Sequence, residues 1–149
     1  MSLQEEIMDA MKIAMKGKDS QALEALRAVK AALLLAQTES GAKKEVSEEV
    51  ELKILQKQVK QRKDSAAIFT EQGREDLAIP ELVQAAIIEQ FLPAQLSEEE
   101  VAKIVDAIIA QTGASSMKDM GKVMGMANGQ LAGKADGKTI STVVKARLS

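Results

Sequence analysis

The chain has 149 residues, 20 basic and 22 acidic side chains, a net charge of −2 at pH 7, and no Cys, His, Trp or Tyr. Without Cys there is no disulfide framework and no need of an oxidising compartment. Without Cys and His, the usual ligands of zinc, haem and iron–sulfur centres and the imidazole-based nucleophile pairs are missing, so no metal or cofactor is expected and only a Ser–Lys or carboxylate-pair enzyme stays open.

Apolar spacing is helical from end to end, which predicts an all-α fold. Ser2 with Glu5 fits a capping box, and Leu3, Ile7, Ala10, Met11 and Ala14 follow on one face. Gly17 stops this helix, and Asp19 or Ser20 caps a second with Leu23, Leu26, Val29, Leu33 and Ala36 on its core side. The stretch Ser40-Gly41-Ala42-Lys43-Lys44 reads as an exposed loop.

Ser47 caps a third, long helix whose stripe is Leu52, Leu55, Val59, Arg62, Ala66 and Phe69, ended by Gly73. An Arg on an apolar stripe needs a partner, and an acidic one is expected. Lys53, Lys57 and Lys60 share another, solvated face. In the fourth helix Leu77, Leu82, Val83, Ala86, Ile87 and Phe91 are the expected core face. Pro80 is tolerable only in a first turn, so this helix should start between Arg74 and Ile79.

Pro93 breaks the pattern, and Ser97 with Glu100 suggests a second capping box. The expected organisation is an amino-terminal module of about four helices over 1–91, a linker at 92–96, and a module of three short helices over 97–149. In the second module Val101, Ile104, Val105, Ile108 and Ile109 make one face, and Gly113 closes that helix. Met117, Met120, Met124, Ala127 and Leu131 make the next, read as core rather than as a soft ligand surface. After the turn Gly133-Lys134-Ala135-Asp136-Gly137, with Asp136 as cap, come Ile140, Val143, Val144 and Leu148.

Charge is unevenly placed. Residues 112–149 hold Lys118, Lys122, Lys134, Lys138, Lys145 and Arg147 against Asp119 and Asp136 only, a net +4. That end is the place to expect an anionic partner. The Gly-Lys pairs at 121–122, 133–134 and 137–138 follow no strand and fit no Walker pattern, so phosphate contact through exposed Lys122, Lys134 and Lys138 is the functional alternative to plain solvated lysines. Gly121 and Gly125, four apart in one helix, suit either a closely packed neighbouring helix or the approach of a ligand backbone. The carboxylates fall in helix first turns or on the surface, and no pair stands out as acid and base.

Certain strings, in order, carry a resemblance. They are Ala14-Met15-Lys16-Gly17-Lys18-Asp19, Leu26-Arg27, Val59-Lys60-Gln61-Arg62-Lys63-Asp64-Ser65, Gly73-Arg74-Glu75-Asp76-Leu77, Phe91-Leu92-Pro93-Ala94-Gln95-Leu96-Ser97, Met120-Gly121-Lys122-Val123-Met124-Gly125 and Gly133-Lys134-Ala135-Asp136-Gly137-Lys138. Together they resemble the YqeY family of bacterial cytosolic proteins over essentially the whole chain. The carboxy-terminal part is similar to the tail of the B subunit of the aspartyl/glutamyl-tRNA amidotransferase, a helical appendage that helps hold tRNA. Of that tail, Gly121, Lys122, Met124, Gly125, Gly133 and Asp136 carry over; Arg27, Arg62, Arg74 and Pro93 belong to the wider family strings.

The resemblance implies a tail without its enzyme: a non-catalytic, tRNA-associated accessory, or alternatively a protein-interaction module that partners a tRNA-modifying enzyme. Nothing resembles the catalytic domains of that glutamine-dependent amidotransferase. The amino terminus lacks an apolar signal core, and no run approaches the roughly 18 apolar residues of a membrane span, so no membrane association and a cytoplasmic location are expected.

Overall fold

The computed structural model describes residues 2–39 and 46–149. The loop expected at 40–44 lies outside the described residues. The described chain is all-helical and divides after Leu92 into two compact units.

The first unit contains α1 (Leu3–Lys16), α2 (Ser20–Glu39), α3 (Glu48–Glu71) and α4 (Glu75–Glu89). Its entry signals are those of the sequence. Ser2 and Glu5 form a complete capping box, Asp19 Oδ1 accepts the Ala22 N–H at 3.1 Å, and Ser47 Oγ accepts that of Val50 at 3.3 Å. At the α1–α2 turn Gly17 stays right-handed, and Lys18 takes the left-handed backbone with φ 54°. A left-handed L-residue costs roughly 1–2 kcal/mol, so the turn carries local strain that a glycine would not.

Within this unit α2 is central and packs against α1, α3 and α4, while α3 and α4 form a tight hairpin. The core is built from Ile7 and Ala14, the Ala22–Leu33 side of α2, Leu55 and Val59 of α3, and Ala85 and Ile88 of α4. Many of these side chains are alanines, and small residues let helix axes approach closely.

The face of α4 is the expected one only in part: Ile87 and Phe91 pack against the core, but the other four expected residues do not. Ala78, Gln84, Ala85 and Ile88 are buried, while Leu77, Leu82, Val83 and Ala86 are exposed. The reason lies in Arg62. Its partner is not an acidic residue: Nε donates to Gln84 Oε1 at 3.0 Å, and Nη1 donates to the Gln58 carbonyl and to Gln58 Oε1 at 3.1 and 2.7 Å. Gln84 Nε2 in turn donates to Gln21 Oε1 at 2.7 Å. Gln84 is only 6% exposed, yet both ends of its amide are satisfied. Neutral amides give the guanidinium acceptors without a second charge to desolvate.

Pro80 lies in the second turn of α4, not the first. The carbonyl that it leaves without a helical donor belongs to Asp76, an exposed residue that water can reach.

The second unit contains α5 (Glu98–Thr112), a 3₁₀ turn (Met117–Asp119), α6 (Met120–Gln130) and α7 (Gly137–Leu148). Ser97 Oγ accepts the Glu100 N–H at 3.2 Å, and its hydroxyl donates to the Glu100 carboxylate at 3.2 Å. Val101, Val105 and Ile108 meet Val123, Ala127, Leu131, Ile140, Val143, Val144 and Leu148 in the core. Met120 and Met124 pack at its edge, and the buried centre of α6 is Val123. Met117 is exposed, because the 3₁₀ turn breaks the helical register that would have placed it on that face.

The Arg62–Gln84 bridge gives a direct test by denaturant unfolding. Arg62→Met and Gln84→Leu should each destabilise the chain by roughly 1–3 kcal/mol, since each strands a partner amide or guanidinium. The double variant should cost clearly less than the sum of the two, because Gln21 and Gln58 are only half-buried and can turn to water. Strict additivity would count against a shared network.

Candidate anion-binding surface of the second unit

Val123, Ala127 and Leu131 fix how α6 is turned, because they are its fully buried residues and its carboxy-terminal cap. At roughly 100° per residue, Gly121, Gly125 and Gly129 then fall on the opposite side. Apart from the adjoining residues and the helix's own backbone, nothing lies within 4 Å of where a Cβ would stand on any of the three. No helix of this unit packs on them, so of the two sequence readings of Gly121 and Gly125 close packing finds no support here. Gly129 extends the stripe by one turn, and the sequence strings alone do not single it out. Three helical glycines with nothing against them cost α6 on the order of 1 kcal/mol each relative to alanine.

Lys122 lies along this open side and is exposed. Lys134 sits in the turn between α6 and α7, and Lys138 in the first turn of α7; both are exposed. Among the described residues none of the three ammonium groups makes an ion pair or hydrogen bond. Arg147, by comparison, is paired with Asp106 at 3.3 Å. The two carboxylates of residues 112–149 are tied to backbone. Asp136 Oδ1 caps α7 by accepting the Thr139 N–H at 2.7 Å, and Asp119 Oδ2 accepts that of Ser115 at 3.1 Å.

The Gly133–Asp136 turn is held from two directions. Gly133 has φ 76°, a conformation that L side chains rarely adopt, and it is buried. Gln95 Nε2 donates to the Gly133 carbonyl at 2.6 Å, and the Leu96 N–H donates to the Lys134 carbonyl at 2.9 Å. The segment after Pro93 therefore braces the turn that carries Lys134 and leads into α7. A cleft of about 330 Å³ between α5 and α7 is a different place: Glu98 and Glu99 stand at its wall beside Arg147, which makes it a poor anion site.

Other residues of the sequence strings belong to the first unit. Arg27 is exposed on α2. Arg62 holds the amide network. Arg74 forms a two-pronged pair with Asp76, Nε to Oδ1 at 3.0 Å and Nη2 to Oδ2 at 2.9 Å. The contacts of the last two are all within their own unit. Among the described residues no group of three Asp or Glu side chains could hold a metal ion, and no helix is long and apolar enough to cross a membrane.

Residues 4–148 match the family described as Yqey-like protein. The chain belongs to that family. A stretch of 84 residues, 54% of the chain, is 38% identical to the E subunit of the glutamyl-tRNA(Gln) amidotransferase of Thermococcus gammatolerans, and covers 13% of that protein. The YqeY-like chain thus spans a small part of the curated relative it matches.

The Arg74–Asp76 pair predicts a pH effect. The hydrogen bonds from Arg74 hold the Asp76 carboxyl below its usual range, and the same pairing raises the Arg74 guanidinium further. The pair stabilises above the pH at which an unfolded aspartate titrates, and that gain disappears as pH falls through the lower pKa of Asp76. Arg74→Ala should move the Asp76 titration, followed by NMR, back up toward that of a free aspartate. The stability change at neutral pH should be small, because both side chains are more than half exposed. An unmoved Asp76 titration would rule the pairing out.

Proposed function

We propose that this YqeY-like chain is a cytosolic, non-catalytic accessory protein that binds the phosphate backbone of tRNA along the open side of α6 and the turn into α7. The observation that carries this reading is the bare stripe of Gly121, Gly125 and Gly129. It costs helix stability, and no neighbour in its own unit uses it. A sugar–phosphate strand is a partner that gains from reaching helix backbone closely.

Charge supports the same side. Lys122, Lys134 and Lys138 are uncommitted cations, whereas the side-chain carboxylates of this segment accept backbone N–H groups, Asp136 as the cap of α7 and Asp119 from Ser115. Recognition of this kind reads backbone and shape. Base stacking needs exposed aromatic rings, and the chain's only aromatics are two Phe, of which Phe69 is partly buried on α3 and Phe91 packs against the first core. Similarity to a protein named for glutamyl-tRNA(Gln) favours tRNA as the nucleic acid. We assign the chain no amido-transfer step of its own, because it covers 13% of that relative.

Two variants test the reading by fluorescence anisotropy with labelled tRNA at several salt concentrations. Changing Lys122, Lys134 and Lys138 together to Ala should weaken binding and flatten the log–log salt dependence by roughly 0.7–0.9 for each phosphate no longer neutralised. Gly125→Ala should raise thermal stability, by up to about 1 kcal/mol from helix propensity, while weakening binding about tenfold. Equal affinities and equal slopes for parent and triple variant would remove tRNA from this surface. A stabilised Gly125→Ala that binds as well as the parent would show that the stripe is idle.

A further inference from the structure

Of the three lysines of the anion surface, two sit on helices. Lys122 lies in α6 and Lys138 in the first turn of α7, so the helices fix their backbone. Lys134 lies between α6 and α7, and neither helix includes it. Its backbone is fixed all the same. The Lys134 N–H donates to the Leu131 carbonyl at 2.9 Å, and the Lys134 carbonyl accepts the Leu96 N–H at 2.9 Å. The carbonyl of the residue before it, Gly133, accepts Gln95 Nε2 at 2.6 Å, and the same nitrogen donates to the Pro93 carbonyl at 2.9 Å. Both hydrogens of one side-chain amide are thus spent on main-chain carbonyls, one from each side of the contact.

We propose that Gln95 is a positioning residue of the anion surface: it touches no phosphate, and it holds Lys134 where a phosphate can meet it. The role rests on the reading of this surface as a tRNA site. A lysine carried on a loose turn must order the turn as well as its own side chain on binding, and both costs subtract from affinity. With the turn held in advance, only the side chain remains to be ordered.

Gly133 allows the left-handed backbone of this turn, at φ 76°, but does not hold it, because glycine has the most conformational freedom to lose. The hold comes from outside the α6–α7 connection, from Gln95 and Leu96. Of these, Leu96 acts through its main chain and Gln95 through its side chain, so a single substitution isolates the second. A glutamine also suits the place by its charge. A carboxylate there could not donate to the two carbonyls and would repel phosphate, whereas the neutral amide donates twice and leaves the field of Lys134 intact.

Fluorescence anisotropy with labelled tRNA at several salt concentrations tests the role on the full chain. Gln95→Leu should weaken binding roughly three- to tenfold, the range expected for one lost hydrogen bond. Its log–log salt slope should equal that of the parent, because Lys134 still neutralises its phosphate once bound. Lys134→Ala should weaken binding and flatten the slope by roughly 0.7–0.9. The double variant should bind as Lys134→Ala alone does, since no cation is left at 134 to be positioned. Amide hydrogen exchange supplies a second measurement on the free protein. The Leu96 and Lys134 amides should exchange faster in Gln95→Leu, while Val105 and Val144 in the core helices keep their protection. Parent-like affinity for Gln95→Leu, a flattened slope for that variant, additive losses in the double variant, parent-like affinity for Lys134→Ala, or loss of protection throughout the unit would each overturn the positioning role and leave tRNA binding by the parent standing. A parent that binds no tRNA at any salt concentration would remove the tRNA site itself, and the role with it.

Discussion

The hydrogen-bond chain from Gln58 and Arg62 through Gln84 to Gln21 joins three of the four helices of the first unit. Its geometry sets how α4 is turned about its own axis. With Gln84 held inward, Ala85 and Ile88 must enter the core, and Leu82 and Val83 must leave it. The apolar area given up on the outer face is an unfavourable term of the kind usually avoided. What offsets it is that Arg62, on the apolar stripe of α3, has acceptors on both sides, and no buried side-chain nitrogen or oxygen is left unsatisfied among the described residues. A polar network inside a small alanine-rich core admits fewer alternative packings than an all-apolar one, since any slip of α4 by one residue breaks it.

The second unit obtains its order differently. It has no buried polar side chain, and its core is a short run of Val, Ile, Leu and Ala. Three short helices of this kind leave the connecting turn as the weak point. That turn is held by a left-handed glycine, by the Asp136 cap, and by two hydrogen bonds from the chain just after Pro93. Two strings far apart in sequence, around Pro93–Ser97 and Gly133–Lys138, thus describe one piece of structure. This places Lys134 on fixed backbone although its side chain is free, which lowers the ordering cost of any anion it meets.

The fold is legible in the sequence wherever a helix has one apolar side. The faces of α1, α5 and α7 read correctly, because Ile7, Val105 and Val144 repeat at helical spacing against a polar background. On α4 the opposite holds. With apolar residues on both sides, periodicity has no preferred direction, and the natural choice of putting Gln84 outside is the wrong one. The clue to the contrary is present in Arg62, but the amide that turns α4 lies 22 residues away, and Gln21, which completes the chain from Gln84, is 63 residues from Gln84. Periodicity within one helix cannot see them. On α6, Val123 is hidden between methionines that share its side. The bareness of the glycine stripe cannot be read at all, since a glycine signals either close packing or open space, and only the neighbours decide.

Stability and exposure are therefore distributed in opposite senses in the two units. In the first, helix-forming residues are abundant and apolar side chains remain on the surface of α4. In the second, α6 is weakened by its three glycines, and its outward side offers backbone and charge but little apolar area. An apolar row suits a rigid protein surface, because dispersion and burial act only at close fit. Bare backbone flanked by lysines suits a charged, irregular strand, because Coulomb attraction tolerates imperfect fit. Surfaces so different in chemistry do not compete for one partner.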